Sequence, residues 1–463
     1  MHKFYDVVII GGGIGGLMTA YNLINCKNKP KIAIIEKGKE IEKRKCPAQN
    51  GKPCVNCPVC AITSGYAGAG AFSDGKFTLG TNYGGTLGKE LGEDLAISYI
   101  NQVDSILKKF SNGNYPDKYQ PNENLKLKCL QNNLQLLDMY TRHLGTDRNL
   151  IIMENLINYL KDNGVEMLSN TEVNYVDHSC FKAKEMYSVG FGNCDSVQAS
   201  NVIFAVGRGG SKFFSDFCNN NHIPTTSNAV DIGVRVEMKD SIWKEFSSQI
   251  YEPKILYKTK TFEDKTRMFC FNQGGVVSAE NNNGVITANG HSYSDPNKKT
   301  ENCNFAILTS INFTQPFDKP TVYAENISRL ANLIGNNNVL VQRFGDLIRG
   351  RRTNEHRLSQ NSVKPTLKAT AGDLSLVLPH RILTDIIETL YAFDKVAPGT
   401  ANDDTLLYGC ESKYYSVRPQ MSEDFAIMPG VYVVGDCSGI CRGLSQSGAM
   451  GLYVADCIKD WGI

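Results

Sequence analysis

The sequence contains no apolar run of about eighteen residues, the length that a membrane-spanning helix needs. Its formal net charge of +2 over 463 residues gives no overall attraction to nucleic acid or to an anionic membrane. The first residues enter an apolar strand pattern at once, so we expect no secretory signal peptide. These absences predict a cytoplasmic protein without a membrane partner.

Signs of a disulfide framework are also missing, although cysteine is plentiful. The chain has 15 cysteines, an odd number, scattered along its whole length. This usage is typical of a reducing compartment. Internal repeats and low-complexity linkers are absent too, and a chain of this length predicts two or three lobes with ample core.

An apolar strand at residues 5–10 runs directly into G-x-G-x-x-G, a pattern that binds dinucleotides. Gly11 permits the tight turn, Gly13 lets the pyrophosphate approach the backbone, and Gly16 lets the next helix pack on the sheet. The phosphates then lie at a helix N-terminus. A second apolar strand ends on Glu36, whose carboxylate would lie at the ribose hydroxyls and repel a 2′-phosphate. The cofactor-binding residues predicted here are Gly11, Gly13, Gly15, Gly16, Glu36 and Lys37.

The C-terminal end repeats the strand-and-turn design, which decides between FAD and NAD. An apolar strand ends on Gly435 and Asp436, and a helix begins after Gly443. FAD is long enough to need both ends of the chain, and the two ends resemble the glutathione-reductase structural group of flavoproteins. That resemblance implies that Asp436 holds the ribityl hydroxyls and that the amides near Leu444 and Ser445 face the flavin pyrimidine. The alternative is a strand, turn and helix that only pack together.

A middle segment extends this resemblance. Residues 163–176 look like the part of these flavoproteins that lies over the adenine, which implies backbone contacts from Val173. Residues 202–210 then return the chain to the dinucleotide domain through a turn at Gly207. The glycines of this turn do not form a second G-x-G-x-x-G, so no second nucleotide site is expected there.

Cysteines are dense in one loop, where Cys46 is followed by C-x-x-C-x-x-C at Cys54, Cys57 and Cys60. Three cysteines at this spacing can hold three corners of a [4Fe–4S] cluster, with Cys46 as the fourth ligand. A tetrahedral zinc site would use the same thiolates, although zinc loops usually present two separated C-x-x-C pairs. Thiols without metal are the third interpretation. An iron–sulfur cluster would allow one-electron transfer beside a flavin, whereas zinc would be structural.

A glycine-dense segment at residues 64–77 follows, where related flavoproteins cover the isoalloxazine. This position implies cofactor contacts from Ala71, Phe72 and Ser73. The cysteine loop and the run G-x-G-A-F-S-D-G-K together resemble a bacterial and archaeal family of FAD-dependent dehydrogenases. Further matching motifs are at residues 145–147, 231–237, 289–292, 350–353 and 372–375.

That family includes members with and without the cysteine loop. Its members carry F-C-x-C-P-G-G where this chain has F-C-F-N-Q-G-G at residues 269–275, so a cysteine pair is missing there. The fold class predicted is α/β: a Rossmann-like FAD-binding domain, with helices on a parallel sheet, and an inserted α+β substrate domain. The predicted parts are the first FAD-binding part at 1–80, a helical insertion at 81–145, the second FAD-binding part at 146–225, the substrate domain at 226–404 and the C-terminal FAD-binding part at 405–463.

The candidates for chemistry beside the flavin are Arg418, His291 and Cys441. Related flavoproteins bring substrate-facing side chains in at the position of Arg418, and a structural ion pair is its alternative. His291, in a turn, can exchange protons near neutrality, and His143 competes for that role. Cys441 forms C-x₃-C with Cys437, which fits either a redox role or a tight loop of small residues.

Charged residues of the middle region are interpreted first as solvated. Arg235 and Glu237 alternate along a strand, a pattern typical of an exposed face. A basic cluster could be a solvated face or an anion site, since guanidinium groups bind carboxylate and phosphate bidentately. Its members are Arg343, Arg349, Arg351, Arg352, Arg357, Lys364 and Lys368.

The function predicted is an FAD-dependent oxidoreductase, a dehydrogenase or reductase, that acts on a small organic substrate. Its electron donor would be NAD(P)H or a ferredoxin-like protein, and the single glycine fingerprint predicts no separate NAD(P)H lobe. The alternative is a flavoprotein acting on a macromolecule such as tRNA, because tRNA-modifying flavoproteins share this fold. The near-neutral charge and the lack of a basic, aromatic-interleaved stripe disfavour a nucleic-acid partner.

Overall fold

A computed structural model describes residues 3–47, 55, 57–181, 184–192, 194–282, 284–293, 295–313, 316–317, 319–413 and 415–460. Within these ranges, no helix has both the length and the apolar character that crossing a bilayer requires.

The strands are β1 (Lys3–Ile10), β2 (Ile32–Ile35), β3 (Lys76–Thr78), β4 (Leu134–Leu136), β5 (Thr141–His143), β6 (Glu166–Leu168), β7 (Val173–Phe181), β8 (Lys184–Phe191), β9 (Asp195–Phe204), β10 (Thr225–Thr226), β11 (Val230–Lys239), β12 (Ile255–Lys258), β13 (Lys265–Asn272), β14 (Val276–Asn282), β15 (Val285–His291), β16 (Asn302–Ile311), β17 (Leu340–Arg343), β18 (Thr370–Ala371), β19 (Leu406–Lys413), β20 (Arg418–Pro419), β21 (Ala426–Met428) and β22 (Val431–Val433). The helices are α1 (Ile14–Ile24), α2 (Leu87–Leu91), α3 (Glu93–Lys109), α4 (Glu123–Leu130), α5 (Gly145–Asp162), α6 (Ser211–Asn220), α7 (Lys244–Ile250), α8 (Pro320–Ile334), α9 (Phe344–Ile348), α10 (Glu355–Ser359), α11 (His380–Asp394) and α12 (Leu444–Asp460).

The first sheet has the parallel core of a dinucleotide-binding fold. Its order is β21-β22-β9-β1-β2-β6, and β1 runs parallel to both β2 and β9. Val7 and Ile9 pack into the core that contains α1 and α12, whereas Val8 and Ile10 pack into the core on the other face. A strand covered on both faces must be apolar throughout, which explains the continuous apolar run before the glycines.

The second sheet has the order β18-β17-β19-β11-β16-β13-β12-β4 and is antiparallel apart from the β17–β18 pair. In its centre, Ile232 and Val234 of β11 belong to an apolar core that includes α11. The exposed face predicted for Arg235 and Glu237 is wrong, because both side chains are fully buried. Their face of the strand is polar, but side chains of neighbouring segments, among them Asn289 of β15, cover it.

Two domain boundaries differ from the prediction. β19 pairs with β11 and β17, so the substrate lobe continues beyond residue 404. β4 pairs with β12, so the insertion at 81–145 contributes a strand to the second sheet and is not only helical. Strand pairing over such long sequence separations leaves no local signal in composition. The predicted α/β fold with a Rossmann-like domain is confirmed.

Candidate cofactor and substrate site

One cavity of about 1930 Å³ is lined by both lobes. From the first lobe it is lined by the turn after β1, the end of β2 and the first turn of α12. From the side of the second lobe it is lined by side chains of β13, β15 and the end of β19. The glycine turns of one lobe and the polar side chains of the other therefore share one space.

The turn after β1 has the geometry that its glycines predict. Gly11 has a φ of +108°, and a Cβ on Gly16 would lie 2.4 Å from the Gly11 carbonyl oxygen. Over Gly13 the space is open, since the nearest heavy atom to a Cβ there is the Gly68 Cα at 4.0 Å. Gly13 is also the N-cap of α1 and has no side chain to bond the first N–H groups. A phosphate group fits this open cradle.

Glu36 joins the segments around the cradle. Its Oε2 accepts a hydrogen bond from the Gly12 N–H at 2.8 Å, and its Oε1 accepts from the N–H groups of Gly38 and Gly65 at 2.8 and 2.9 Å. A carboxylate offers about four lone-pair positions, so about one remains for a ribose hydroxyl. Glu36 lines the cavity, and its contact with the ribose stays a prediction.

Arg44 organises the glycine-dense segment, a role that sequence reasoning missed. Its guanidinium donates to four carbonyl oxygens at 2.6–2.9 Å, those of Ala61, Ile62, Tyr66 and Gly68. It also lies 4.8 Å from the centroid of the Phe72 ring. Burial lowers the pKa of Arg44 to about 10, so the side chain stays charged at neutral pH. An arginine that binds main-chain carbonyls needs no particular partner residues, so the sequence carries little signal of this role.

The turn after β22 and the start of α12 form another part of the wall. Asp436 lies 3.5 Å from the Nε of Arg208 and accepts a hydrogen bond from the Ser447 hydroxyl at 3.2 Å. Burial raises the pKa of Asp436. The buried hydroxyl oxygen of Ser445 has no hydrogen-bond partner among the described residues. A buried polar atom without a partner is suited to bind a ligand group.

The predicted cofactor-binding residues converge on this cavity. All of them line it except Gly16, which packs α1 against the turn after β1, and Ala71, which is fully buried. The open cradle over Gly13 and the unpartnered Ser445 hydroxyl fit a dinucleotide that reaches from one end of the chain to the other.

Four buried charges alternate on the cavity wall. Lys76 Nζ lies 2.7 Å from Asp74 Oδ2 and 3.5 Å from Glu252 Oε1, and Lys254 Nζ lies 2.7 Å from the same Glu252 oxygen. Burial disfavours the Asp74 carboxylate, but the Lys76 ammonium lowers its pKa below the usual value. Burial lowers the pKa of Lys254. Because buried charges are costly unless paired, the alternation keeps all four in place.

Two aromatic rings lie beside these lysines. Lys254 Nζ lies 3.9 Å from the centroid of the Tyr83 ring and 4.9 Å from that of Phe269. Lys413 Nζ lies 5.9 Å from the Phe269 centroid. Rings and cations on one wall suit a flat, charged organic molecule.

His291 and Cys441 line the cavity, as a role in chemistry would require. Burial lowers the pKa of His291, whose Nδ1 has no hydrogen-bond partner among the described residues. Cys441 Sγ lies 3.6 Å from the sulfur of Met450, and burial raises the pKa of Cys441 well above its usual value. The thiol, and not the reactive thiolate, is therefore the form at neutral pH.

Arg418 is not among the residues that line the cavity, which corrects the expectation that it faces the flavin or substrate. Its Nη2 lies 2.6 Å from the Glu90 carboxylate of α2, so the ion-pair alternative describes it. The reason is local, because β20 pairs with β10 and leaves the side chain directed to α2.

His143 lies behind the cavity wall. Its Nε2 lies 2.8 Å from the Tyr251 hydroxyl, which lies 3.0 Å from the Ser292 hydroxyl. Burial lowers the pKa of His143 to about 4. None of these three side chains lines the cavity, so His143 does not compete with His291 for contact with a ligand.

The cysteine loop is described only in part. Cys46 and Cys60 line the cavity and Cys57 does not, whereas Cys54 lies outside the described residues. Among the residues that are described, no three or more His, Cys, Asp or Glu side chains are grouped so that they could hold a metal ion. A metal or cluster at this loop therefore stays a prediction.

The basic cluster is held around a buried carboxylate. Asp346 lies 2.7 Å from the Nε of Arg351, 3.2 Å from that of Arg357 and 3.7 Å from the Nη1 of Arg343. Arg349 pairs with Asp403 at 2.8 Å. These four arginines do not line the cavity and form a structural ion-pair network, whereas Lys368 of the same basic cluster does line it.

Comparison with known proteins supports the cofactor. A model of the FAD-binding domain matches residues 6–45, and a model of the C-terminal domain of FAD-dependent proteins matches residues 229–414. A protein from Clostridium beijerinckii, described only as uncharacterized, is 22% identical over 479 residues, which cover 97% of this chain and 80% of that protein.

Two solved structures resemble the chain at low identity. One is the L-α-glycerophosphate oxidase of Mycoplasma pneumoniae with FAD bound, 12% identical, with 99% of this chain and 95% of that chain covered and a TM-score of 0.42. The other is the glycine oxidase of Bacillus cereus, 14% identical, with 99% and 96% covered and a TM-score of 0.41.

The protein is an FAD-dependent flavoprotein and an enzyme of the FAD-dependent oxidoreductase class. The finer resemblances, to the glutathione-reductase group and to dehydrogenases with a cysteine loop, stay predictions.

Proposed function

We propose that this oxidoreductase acts, as a dehydrogenase or reductase, on a small organic molecule that binds in the cavity between the lobes. One observation carries the proposal: the residues predicted to hold FAD and the buried charges beside the second lobe line the same cavity. Sites for one drug-sized ligand occupy about 300–1000 Å³. A cavity of about 1930 Å³ is large enough for a dinucleotide and a small substrate together.

In this proposal each end of the chain holds one part of FAD. Gly13 and the first turn of α1 would hold the pyrophosphate, Glu36 the ribose, Asp436 the ribityl chain and the N-terminus of α12 the pyrimidine ring, since all of these segments line the cavity. When bound, FAD supplies the exchange of a hydride or of single electrons.

The protein's own side chains orient the substrate and control protons. Asp74, Lys76, Glu252 and Lys254 are buried and paired, so they stay fixed while a substrate binds. His291 is the group suited to accept a proton at Nδ1, because burial lowers its pKa and keeps the imidazole neutral.

For the cysteine loop, we propose that Cys46, Cys54, Cys57 and Cys60 bind one metal ion or cluster at the edge of the cofactor domain. The support is that Cys46 and Cys60 line the same cavity as the predicted FAD residues. Iron, zinc and acid-labile sulfide are measured after anaerobic purification. Metal-free wild type, or full metal content in Cys57→Ala, would contradict this proposal and leave a plain FAD oxidoreductase.

We further propose that the electron donor or acceptor binds from outside, either NAD(P)H at a shallow site over the flavin or a ferredoxin-like protein. In support, the second sheet of the described residues is antiparallel apart from one short parallel pair, unlike a nucleotide-binding fold. Anaerobic mixing with NADH, NADPH or reduced ferredoxin, followed at the flavin absorption band, distinguishes the donors. The tRNA alternative has less support, because four arginines of the basic cluster, Arg343, Arg349, Arg351 and Arg357, are paired with carboxylates.

Gly13→Val tests the cofactor site. The wild type should purify yellow and release FAD, whereas the variant should fold without retaining it, because a branched side chain would fill the open space over Gly13. Gly80→Val is the matched control, since a Cβ there meets no atom within 4 Å and Gly80 does not line the cavity. Bound NAD in place of FAD, or wild-type FAD content in Gly13→Val, would contradict the proposal.

A further inference from the structure

The loop before α12 carries an arginine whose side chain donates no hydrogen bond to any described residue. Arg442 lines the cavity, and its buried Nε has no hydrogen-bond partner among the described residues. No described carboxylate lies within 4.0 Å of its guanidinium nitrogens. The other cations on this part of the wall, Lys76, Lys254, Arg267 and Lys413, each have a carboxylate within that distance.

Arg442 is held in place without using those donors. Its guanidinium carbon lies 3.3 Å from the centroid of the Tyr415 ring, and its main-chain N–H donates to the Gly84 carbonyl oxygen at 2.7 Å. Stacking on a ring occupies the face of a guanidinium group but leaves its N–H donors, which point outward in the plane. The side chain is therefore fixed and still able to bind an anion at its edge.

The same tyrosine contacts a second arginine, from the other lobe. Arg267 on β13 donates to the Tyr415 hydroxyl at 2.8 Å and pairs with the buried Asp231. Arg267 also lines the cavity, and its Nε has no hydrogen-bond partner among the described residues. Arg442, Tyr415 and Arg267, here called the arginine–tyrosine cluster, thus join the two lobes at the cavity.

The cluster has one positive charge more than its partners neutralise, because Asp231 pairs with Arg267 alone and Arg442 has no described carboxylate within 4.0 Å of its guanidinium nitrogens. A half-buried cation without a counter-ion is costly, and a bound anion removes that cost. A single excess charge matches a monoanion, and guanidinium edges bind the two oxygens of a carboxylate in one plane.

We propose that the arginine–tyrosine cluster binds the carboxylate of the substrate, so that the substrate is an organic acid. This inference rests on the proposed function, since it places the acid in the cavity that FAD shares. The rings of Tyr83 and Phe269 on the same wall contact the remainder of the molecule.

The probe is benzoate, titrated into the FAD-loaded protein by calorimetry and by the change in flavin absorption. Benzamide has the same shape without the charge and should bind at least about tenfold more weakly, as should inorganic phosphate. Arg442→Gln should weaken benzoate binding by about tenfold or more, because charge-assisted hydrogen bonds are lost. Arg442→Lys should bind benzoate more tightly than Arg442→Gln but more weakly than the wild type, because an ammonium group keeps the charge and lacks the planar fork. Arg349→Gln, which removes an exposed guanidinium paired with Asp403, is the control and should bind as the wild type does.

The outcomes separate this inference from the proposed function. FAD content and circular dichroism are measured first, and a wild type without FAD would contradict the proposed function itself. With FAD present, the carboxylate site would be overturned if the wild type did not bind benzoate, or bound benzamide as tightly as benzoate, or bound phosphate more tightly than benzoate. It would also be overturned if both Arg442 variants bound benzoate as tightly as the wild type does. If Arg442→Gln and Arg442→Lys both fold but lose FAD, Arg442 binds the cofactor, and the carboxylate site is overturned in that case too.

Discussion

At the scale of single residues, the structure separates side chains that hold the site together from those placed to act in it. Arg44→Lys should lower FAD retention and the free energy of unfolding, because one ammonium group cannot serve four carbonyl oxygens. Each buried carbonyl left without a partner costs about 1–3 kcal/mol. FAD content and urea unfolding measure the two effects. The exposed Arg349→Lys should change neither, and an unchanged Arg44→Lys protein would refute the role of Arg44.

His143 gives the stability a pH dependence. Burial lowers its pKa from 6.5 to about 4, so between these pH values the unfolded chain binds more protons than the folded protein. The free energy of unfolding should therefore fall as the pH falls from 6.5 toward 4, by up to about 3 kcal/mol from this group, and should not change above pH 6.5 on its account.

Urea unfolding of wild type and His143→Gln at pH 7 and pH 4.5 isolates this contribution. Asp385, whose pKa burial raises to about 6, titrates in both proteins and cancels in the difference. The loss of stability between the two pH values should be smaller in the variant, and equal losses would contradict the assignment.

Sequence reasoning indicated residues that are neighbours in space where local spacing fixes their positions. Gly11, Gly13 and Glu36 lie within one strand–turn–helix–strand unit, so their order along the chain fixes their positions. Arg418 and Arg442 differ in this respect. Which of them faces the cavity depends on the pairing of β20 with β10 and on the ring of Tyr415, and neither contact has a local pattern.

At the scale of elements, the sequence of β11 predicts the two faces of the strand correctly but predicts the wrong environment for the polar face. Its alternation of apolar and polar residues predicts two different faces, and the structure has them. The polar face was expected in water, but it is buried, and Arg235 Nε lies 3.1 Å from Glu411 of β19. The covering segments come from distant parts of the chain, so period-two alternation alone could not reveal them.

Glu411→Gln should destabilise the second lobe by about 3–5 kcal/mol, because it leaves the buried Arg235 charge without its carboxylate. Lys413, 3.1 Å from the same carboxylate, loses a partner as well. Thermal or urea unfolding measures the loss. Glu301→Gln, at an exposed pair with Lys239, is the control and should unfold as the wild type does. Similar unfolding of the two variants would mean that the buried pair does not support the sheet.

At the scale of the whole molecule, the two ends of the chain meet at one site. α1 and α12 share a core, β1 and β22 flank β9 in one sheet, and the second lobe is inserted between these ends. The division into lobes followed from the sequence because the two glycine-rich turns mark both ends of the cofactor domain. The positions of β4 and β19 in the second sheet did not follow from the sequence, since only the completed sheet shows where each strand pairs.

A ligand that contacts both ends stabilises the fold that brings them together. FAD should raise the free energy of unfolding by about 2.7 kcal/mol when its free concentration is about a hundred times Kd, because it binds the folded and not the unfolded chain. Thermal melting of the FAD-free protein should therefore shift upward with FAD concentration in the wild type and in Gly80→Val, but not in Gly13→Val. NAD lacks the ribityl chain that Asp436 is proposed to hold, so it should give a smaller shift. If the melting temperatures do not change with FAD concentration, or rise equally in all three proteins, the dinucleotide does not bind at the open space over Gly13.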